Sequence, residues 1–150
     1  MSRIQLALNV ADVEAATAFY AALFGTEPAK TRPGYANFAI ADPPLKLVLL
    51  ENPGPGGTLN HLGVEVEGVD EVDALQTRLA GRGLASVDER GTTCCYAKQD
   101  KFWVEGAPDG ERWEVYTVLA DSPTFGSEAG DGPDCCAADT GRATGAAACC

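Results

Sequence analysis

This chain repeats itself. Sliding its first half forward by 56 positions sets Leu6 on Leu62, Val10 on Val66, Val13 on Val69, Leu23 on Leu79 and Gly25 on Gly81. Apolar residues with strand and then helix spacing recur in one order, so the chain packs two copies of a single supersecondary unit. In the first copy Ile4, Leu6, Leu8 and Val10 alternate with Gln5, Ala7 and Asn9, the period of a strand with one apolar face. In the second, Leu62, Val64 and Val66 alternate with His61, Gly63 and Glu65. The only histidine of the chain therefore stands on the polar face of its strand, at the position that repeats Gln5.

A helix is expected after each of these strands. Asp12 is a suitable N-cap for the first. Its apolar stripe is Ala16, Phe19, Tyr20, Leu23 and Phe24, and Gly25 stops it. The second helix is expected over 69–79, with Val72, Leu75 and Leu79 on its stripe and Gly81 near its end. Extended segments 27–32, 35–40 and 45–51 complete the first copy, separated by turns at Pro33-Gly34 and Asp42-Pro43-Pro44. Segments 85–89, 93–99 and 112–118 complete the second. The last strands also align, Lys46-Leu47-Val48-Leu49 against Arg112-Trp113-Glu114-Val115. Each copy is a βαβββ unit. The fold class is α+β: one domain over 1–120, with modules at about 1–56 and 57–120 and a metal cleft between them.

A chain of 150 residues suits one such domain. No apolar run is long enough to span a membrane, and no signal peptide is visible. A net charge of -11 argues against nucleic acid and anionic membrane partners. These features lead to the expectation of a cytoplasmic protein acting on a small molecule, as a monomer or homodimer. From Asp121 onward Gly, Ala, Asp, Ser and Thr dominate, with five acids against one arginine. Such a segment buries too little apolar surface to offset its ordering entropy, so 121–150 is expected to be a disordered tail. The six cysteines form three adjacent pairs, Cys94-Cys95, Cys135-Cys136 and Cys149-Cys150. That is not the spacing of a disulfide framework. Reduced thiols in a cytosol, with a soft metal or metalloid as partner, are the simpler expectation.

Two constellations carry chemistry. Gln5, His61 and Glu114 lie on the less apolar faces of three strands and offer an amide oxygen, an imidazole and a carboxylate. The fourth repeat-related position is about Val48, which cannot bind a metal. Three ligands with open positions suit a catalytic metal better than a closed structural site. The alternative is an acid in a half-polar sheet, paired with Arg112. The second constellation is Cys94 and Cys95 in Gly91-Thr92-Thr93-Cys94-Cys95-Tyr96. Neighbours in a regular strand face opposite ways, so both thiols reach one ligand only at an irregular strand start, which Gly91 would allow. Two thiolates would chelate a soft trivalent ion such as As(III). Two buried apolar cysteines are the competing reading. Between the constellations, 98–110 reads either as an ordinary exposed hairpin or as a mobile one closing over the site.

Several stretches carry a resemblance: Ile4-Gln5-Leu6-Ala7-Leu8-Asn9-Val10, Pro33-Gly34-Tyr35-Ala36-Asn37-Phe38, Leu59-Asn60-His61-Leu62-Gly63-Val64-Glu65, Thr92-Thr93-Cys94-Cys95 and Arg112-Trp113-Glu114-Val115-Tyr116. With the paired βαβββ units they resemble the vicinal oxygen chelate superfamily, the fold of glyoxalases, bleomycin-resistance proteins and extradiol dioxygenases. Within it, the adjacent cysteines resemble the carbon–arsenic lyases, a group that includes cadmium-induced proteins. The resemblance covers residues 1 to about 126. It implies a non-haem Fe(II) enzyme that uses O2 as co-substrate to cleave the carbon–arsenic bond of trivalent organoarsenicals such as methylarsenite, giving arsenite. Gln5, His61 and Glu114 would be the catalytic iron ligands. Cys94 and Cys95 would hold the arsenic, with Lys101 and Tyr116 added to the substrate-binding set. Gln5 departs from the histidine of many superfamily dioxygenases, and an amide oxygen is a weaker donor than imidazole. Two other functions fit the residues: a non-catalytic arsenic or cadmium sequestration protein, and a glyoxalase-like enzyme, against which Val48 speaks.

Overall fold

The structure, a computed structural model, describes residues 2–126. The first module runs β1 (Arg3–Val10), α1 (Val13–Phe24), β2 (Lys30–Arg32), β3 (Tyr35–Ile40) and β4 (Leu45–Glu51). The second runs β5 (Leu59–Glu65), α2 (Val69–Ala80), β6 (Ser86–Cys94), β7 (Ala97–Val104) and β8 (Trp113–Asp121). Asp12 caps α1 by accepting from the Ala15 amide at 2.9 Å, and Gly25 ends it in the left-handed region at φ 60°.

All eight strands form one curled sheet, in the order β2-β3-β4-β1-β5-β8-β7-β6. In each module the first strand pairs in parallel with the last, β1 with β4 and β5 with β8. The modules join where β1 meets β5 antiparallel, with Leu6 opposite Leu62, Gln5 opposite Gly63 and Ala7 opposite His61. Repeat mates thus face each other at Leu6 and Leu62, and the residues on either side exchange places, as they must about a local two-fold axis. The pairing of Ala7 with Val48 recurs as Gly63 with Glu114. The alignment of Val48 with Glu114 made from sequence is therefore the spatial one.

Both helices lie on one face of the sheet. Val10, Phe38, Leu47 and Leu49 pack with Tyr20 and Phe24 of α1. Val66, Val72, Phe102 and Val115 pack with Leu75 and Leu79. The other face carries the residues that read as polar, and it too is enclosed. Lys101 and Tyr116 are 0% exposed, His61 1%, Glu114 3% and Gln5 5%. Alternation separates two faces but cannot say which face a sheet will curl around.

Several boundaries differ from the sequence reading. The expected strand 27–32 shrinks to Lys30–Arg32. Segment 85–89 lengthens into β6, and the expected strand 93–99 is broken at 95–96 by the two-residue turn that joins β6 to β7. Most of 98–110 is neither a free hairpin nor a lid, because β7 pairs with β6 on one edge and β8 on the other. Its Lys and Gln disguised a buried strand. The expected stripe on α1 is also rotated. Phe19 and Leu23 are exposed, while Val13, Ala16, Tyr20, Ala21 and Phe24 face the sheet. Helix α1 is apolar nearly all round, so its periodicity could not select a side. Residues 121–126, assigned to the tail, pack on the turn between β6 and β7: Ser122 N donates to Tyr96 O at 2.9 Å and Cys95 N to Phe125 O at 2.8 Å. The rest of the expected tail, 127–150, with its two cysteine pairs, lies outside the described residues.

Candidate active site

Three donors from three strands meet at the module junction. Gln5 Nε2 donates to Glu114 Oε1 at 2.7 Å and lies 3.1 Å from His61 Nε2. His61 Nε2 is 3.4 Å from Glu114 Oε1. Gly63 makes this convergence possible, because a Cβ there would stand 3.1 Å from Glu114 Cγ and 3.3 Å from both Gln5 Cβ and Tyr116 Cε1. Among the described residues no group of three or more His, Cys, Asp or Glu is placed to hold a metal. The site depends on Gln5 for its third donor.

Each donor is oriented by a neighbour. His61 Nδ1 lies 2.6 Å from Asn60 Oδ1, an acceptor that fixes the ring with Nε2 toward Gln5 and Glu114. The His61 ring meets Trp103 edge to face at 5.6 Å. Lys101 Nζ donates to Glu114 Oε2 at 3.2 Å and sits 3.4 Å from Glu89 Oε2. Burial pushes the Glu114 carboxyl up, but the Lys101 ammonium and His61 outweigh it and hold the group down at about 2. Burial likewise pushes Lys101 down, and the Glu114 and Glu89 carboxylates more than reverse it. Glu114 is thus an anion, Lys101 a cation, and the donor set carries net negative charge on the side away from Lys101.

The set fits the iron that the resemblance implies. Ligands at right angles and about 2.1 Å from a metal stand about 3.0 Å apart, and the face of three ligands with open positions suits Fe(II). The three spacings of 2.7, 3.1 and 3.4 Å bracket that value. One adjustment is needed. An amide ligates through oxygen, and Gln5 Oε1 is turned away, accepting from Tyr116 Oη at 2.5 Å. The terminal torsion of Gln is broad and roughly two-fold, so rotation exchanges the two atoms in place.

The cysteine pair sits on a different irregularity from the one expected. Cys94 pairs with Ala97, so Cys95 and Tyr96 are the central residues of a hairpin turn, with φ 52° and 61°. Non-glycine residues enter that region at roughly 1–2 kcal/mol each. The neighbourhood holds them there: Tyr96 packs against Tyr35 at 5.3 Å and Phe125 at 5.4 Å, and Lys30 Nζ donates to its carbonyl at 3.0 Å. Positive φ turns neighbouring side chains to one side, and Cys94 Sγ lies 3.3 Å from Cys95 Sγ. Two thiolates bound at near a right angle to one soft centre, at about 2.3 Å each, stand about 3.3 Å apart. Cys95 is a free thiol.

One cavity of about 220 Å³ is lined by Gln5, His61 and Glu114 together with Cys94, Cys95 and Gln99. Gln99 Oε1 is a buried acceptor with no hydrogen-bond partner among the described residues. Lys101 and Tyr116, named from sequence, reach the donors: Lys101 holds Glu114, and Tyr116 Oη contacts Gln5 and Glu65. Asn60, Glu65, Glu89, Gln99 and Trp103 were not singled out from sequence. Only Asn60 and Glu65 gave a signal there, as polar neighbours of His61 on its own strand.

Comparisons with known proteins bear on the family and the fold. The model of the Glyoxalase/Bleomycin resistance protein/Dioxygenase superfamily matches residues 3–115. A trivalent organoarsenical cleaving enzyme of Thermomonospora curvata is 57% identical, covering 100% of both chains. The cadmium-induced protein CadI of Mycobacterium tuberculosis (strain H37Rv) is 72% identical over 127 residues, 85% of this chain and 83% of that one. Among solved structures, the Mn(II)-bound glyoxalase of Novosphingobium aromaticivorans is similar with a TM-score of 0.55 at 20% identity, over 87% of this chain and 44% of that one. Homoprotocatechuate 2,3-dioxygenase of Arthrobacter globiformis has a TM-score of 0.55 at 18% identity, over 78% and 36%. At these identities the two structures speak for the fold alone.

Proposed function

The chain belongs to the Glyoxalase/Bleomycin resistance protein/Dioxygenase superfamily, and from that premise we propose that it is a non-haem Fe(II)- and O2-dependent enzyme cleaving the carbon–arsenic bond of trivalent organoarsenicals. Methylarsenite and trivalent aromatic arsenicals are the substrates, and arsenite is the inorganic product. The observation that carries this reading is one cavity lined both by the three-donor set and by two adjacent cysteines. Relatives named for cleaving trivalent organoarsenicals support the substrate class.

The residues divide the task. Each thiol of the turn displaces one hydroxyl of the arsenical as water, which fixes the arsenic and points its organic group down the cavity. Chelation uses both sulfurs as thiols, which suits a reducing, cytoplasmic setting. Lys101 and Asn60 hold the carboxylate and the imidazole, and Trp103 limits rotation of the ring. Fe(II), held by Gln5, His61 and Glu114, would supply the redox chemistry that activates O2. For methylarsenite the atoms balance as arsenous acid plus formaldehyde, one oxygen atom of O2 entering each. The carbon–arsenic bond breaks, the methyl carbon is oxidised and O2 is reduced. Holding both reactants in one cavity supplies much of the rate.

The test is to load the reduced protein with Fe(II) without air, add methylarsenite, admit O2 and follow arsenic speciation, formaldehyde and O2 uptake. Equal release of arsenite and formaldehyde supports the enzyme. Tight retention of unchanged methylarsenite, with no O2 uptake, identifies a sequestration protein instead. That second reading is kept in view by the mycobacterial relatives named for induction by cadmium.

A further inference from the structure

We propose that Glu65, acting through Tyr116, is a positioning residue that turns the amide oxygen of Gln5 toward the metal. The inference rests on the metal-site reading above and deepens it.

It follows from counting protons along a buried chain. Tyr116 Oη lies 2.5 Å from Gln5 Oε1 and 2.8 Å from Glu65 Oε2. Glu65 also accepts from Arg3 Nη2 at 3.0 Å, and Lys46 Nζ lies 3.1 Å from its Oε2. Two cations keep it a carboxylate, which can only accept. A phenol has one proton. In the amide orientation of this structure, Tyr116 faces an acceptor on each side and can satisfy only one. At the other end of the same amide, Nε2 donates to Glu114 Oε1 at 2.7 Å. The inner end of Gln5 is matched, and the outer end is not.

Rotating the amide reverses the balance. Nε2 then donates to Tyr116, Tyr116 gives its one proton to Glu65, and every group on the outer side is matched. The inner end then presents oxygen beside His61 Nε2 and Glu114 Oε1, where a second acceptor is tolerable only with a cation between them. The chain Glu65–Tyr116–Gln5 therefore favours the metal-binding orientation, and Glu114 favours the other. A metal ion tips the balance, and the preference set by Glu65 adds to its affinity. This also offsets the weaker donation of an amide compared with imidazole.

Two substitutions separate hydrogen-bond direction from packing and charge. Tyr116→Phe keeps shape and charge but removes the relay, so Co(II) affinity of the reduced protein, measured without air by calorimetry and by visible absorption, should fall roughly ten-fold. Glu65→Gln puts an amide next to Tyr116 that can donate, which lets Tyr116 give its proton to Gln5 Oε1 and holds the wrong orientation. It should weaken Co(II) binding more than Tyr116→Phe does. In the Tyr116→Phe background, Glu65→Gln should cost little more, because its route is already cut. Folding of each variant is checked by circular dichroism and by As(III) titration of the cysteines. Unchanged Co(II) affinity in Tyr116→Phe overturns the proposal. So does an equal loss from Glu65→Gln in both backgrounds, which would mark a simple charge effect. A parent chain that binds no Co(II), or binds it equally well after His61→Ala, overturns the metal-site reading itself.

Discussion

Gln5 and His61 are 56 positions apart in the chain and 3.1 Å apart in space, nitrogen to nitrogen. They are repeat mates, and the antiparallel pairing centred on Leu6 and Leu62 places their side chains diagonally on the same enclosed face. The duplication therefore builds the site as well as the fold. One mate from each module meets at the junction, and Glu114 adds a third donor where the first module has Val48.

His61→Ala should abolish stoichiometric Fe(II) binding and turnover together while the fold persists. Anaerobic Fe(II) titration and arsenite release decide this. Normal iron binding with normal turnover would move the site elsewhere.

Cys94 and Cys95 should act as one unit. One thiolate makes a single reversible bond to As(III), and the second bond is then intramolecular, at a high effective concentration. Either Cys94→Ser or Cys95→Ser should cost nearly as much turnover as both, whereas loss of the pairs at 135–136 and 149–150 should cost little. Pentavalent arsenicals should be inert until reduced. Near-normal turnover of a single serine variant at low substrate would remove chelation from the account.

Gly63→Ala should weaken Fe(II) binding roughly ten-fold or more, because the added methyl would crowd Glu114 and Gln5. As(III) binding at the cysteines should be unchanged. Equal loss of both would indicate a general packing defect.

Lys101→Met should leave Glu114 buried without its cation, at roughly 3–5 kcal/mol of stability in the metal-free protein at neutral pH. Glu114 is held at about 2 against an ordinary 4.5, so its ionisation stabilises the fold above 4.5, and that contribution is lost as pH falls toward 2. Without Lys101, burial raises the carboxyl, and the same stability is lost at higher pH. Urea unfolding of the metal-free protein between pH 7 and pH 3 measures both effects. An unchanged acid midpoint would show that Lys101 does not hold Glu114.

The sequence by itself determined the two modules and their first and last strands, and it singled out Gln5, His61 and Glu114, which the structure brings together, because repeat period and strand alternation are properties of a line of residues. It also marked Val48 as the missing fourth position. What it could not decide were relations that need the sheet to close. Lys101 reads as a charge in an exposed hairpin until the pairing of β7 with β8 brings it to 3.2 Å from Glu114. Cys94 and Cys95 read as neighbours on opposite faces until two positive φ angles turn them together, held by rings from β3 and from residue 125. The contact of Tyr116 with Glu65 appears only when β8 pairs in parallel with β5 and sets the two opposite each other. The polar face too is enclosed, because the helices cover the apolar side and the sheet curls away from them. Curl is a property of eight paired strands and of no single segment.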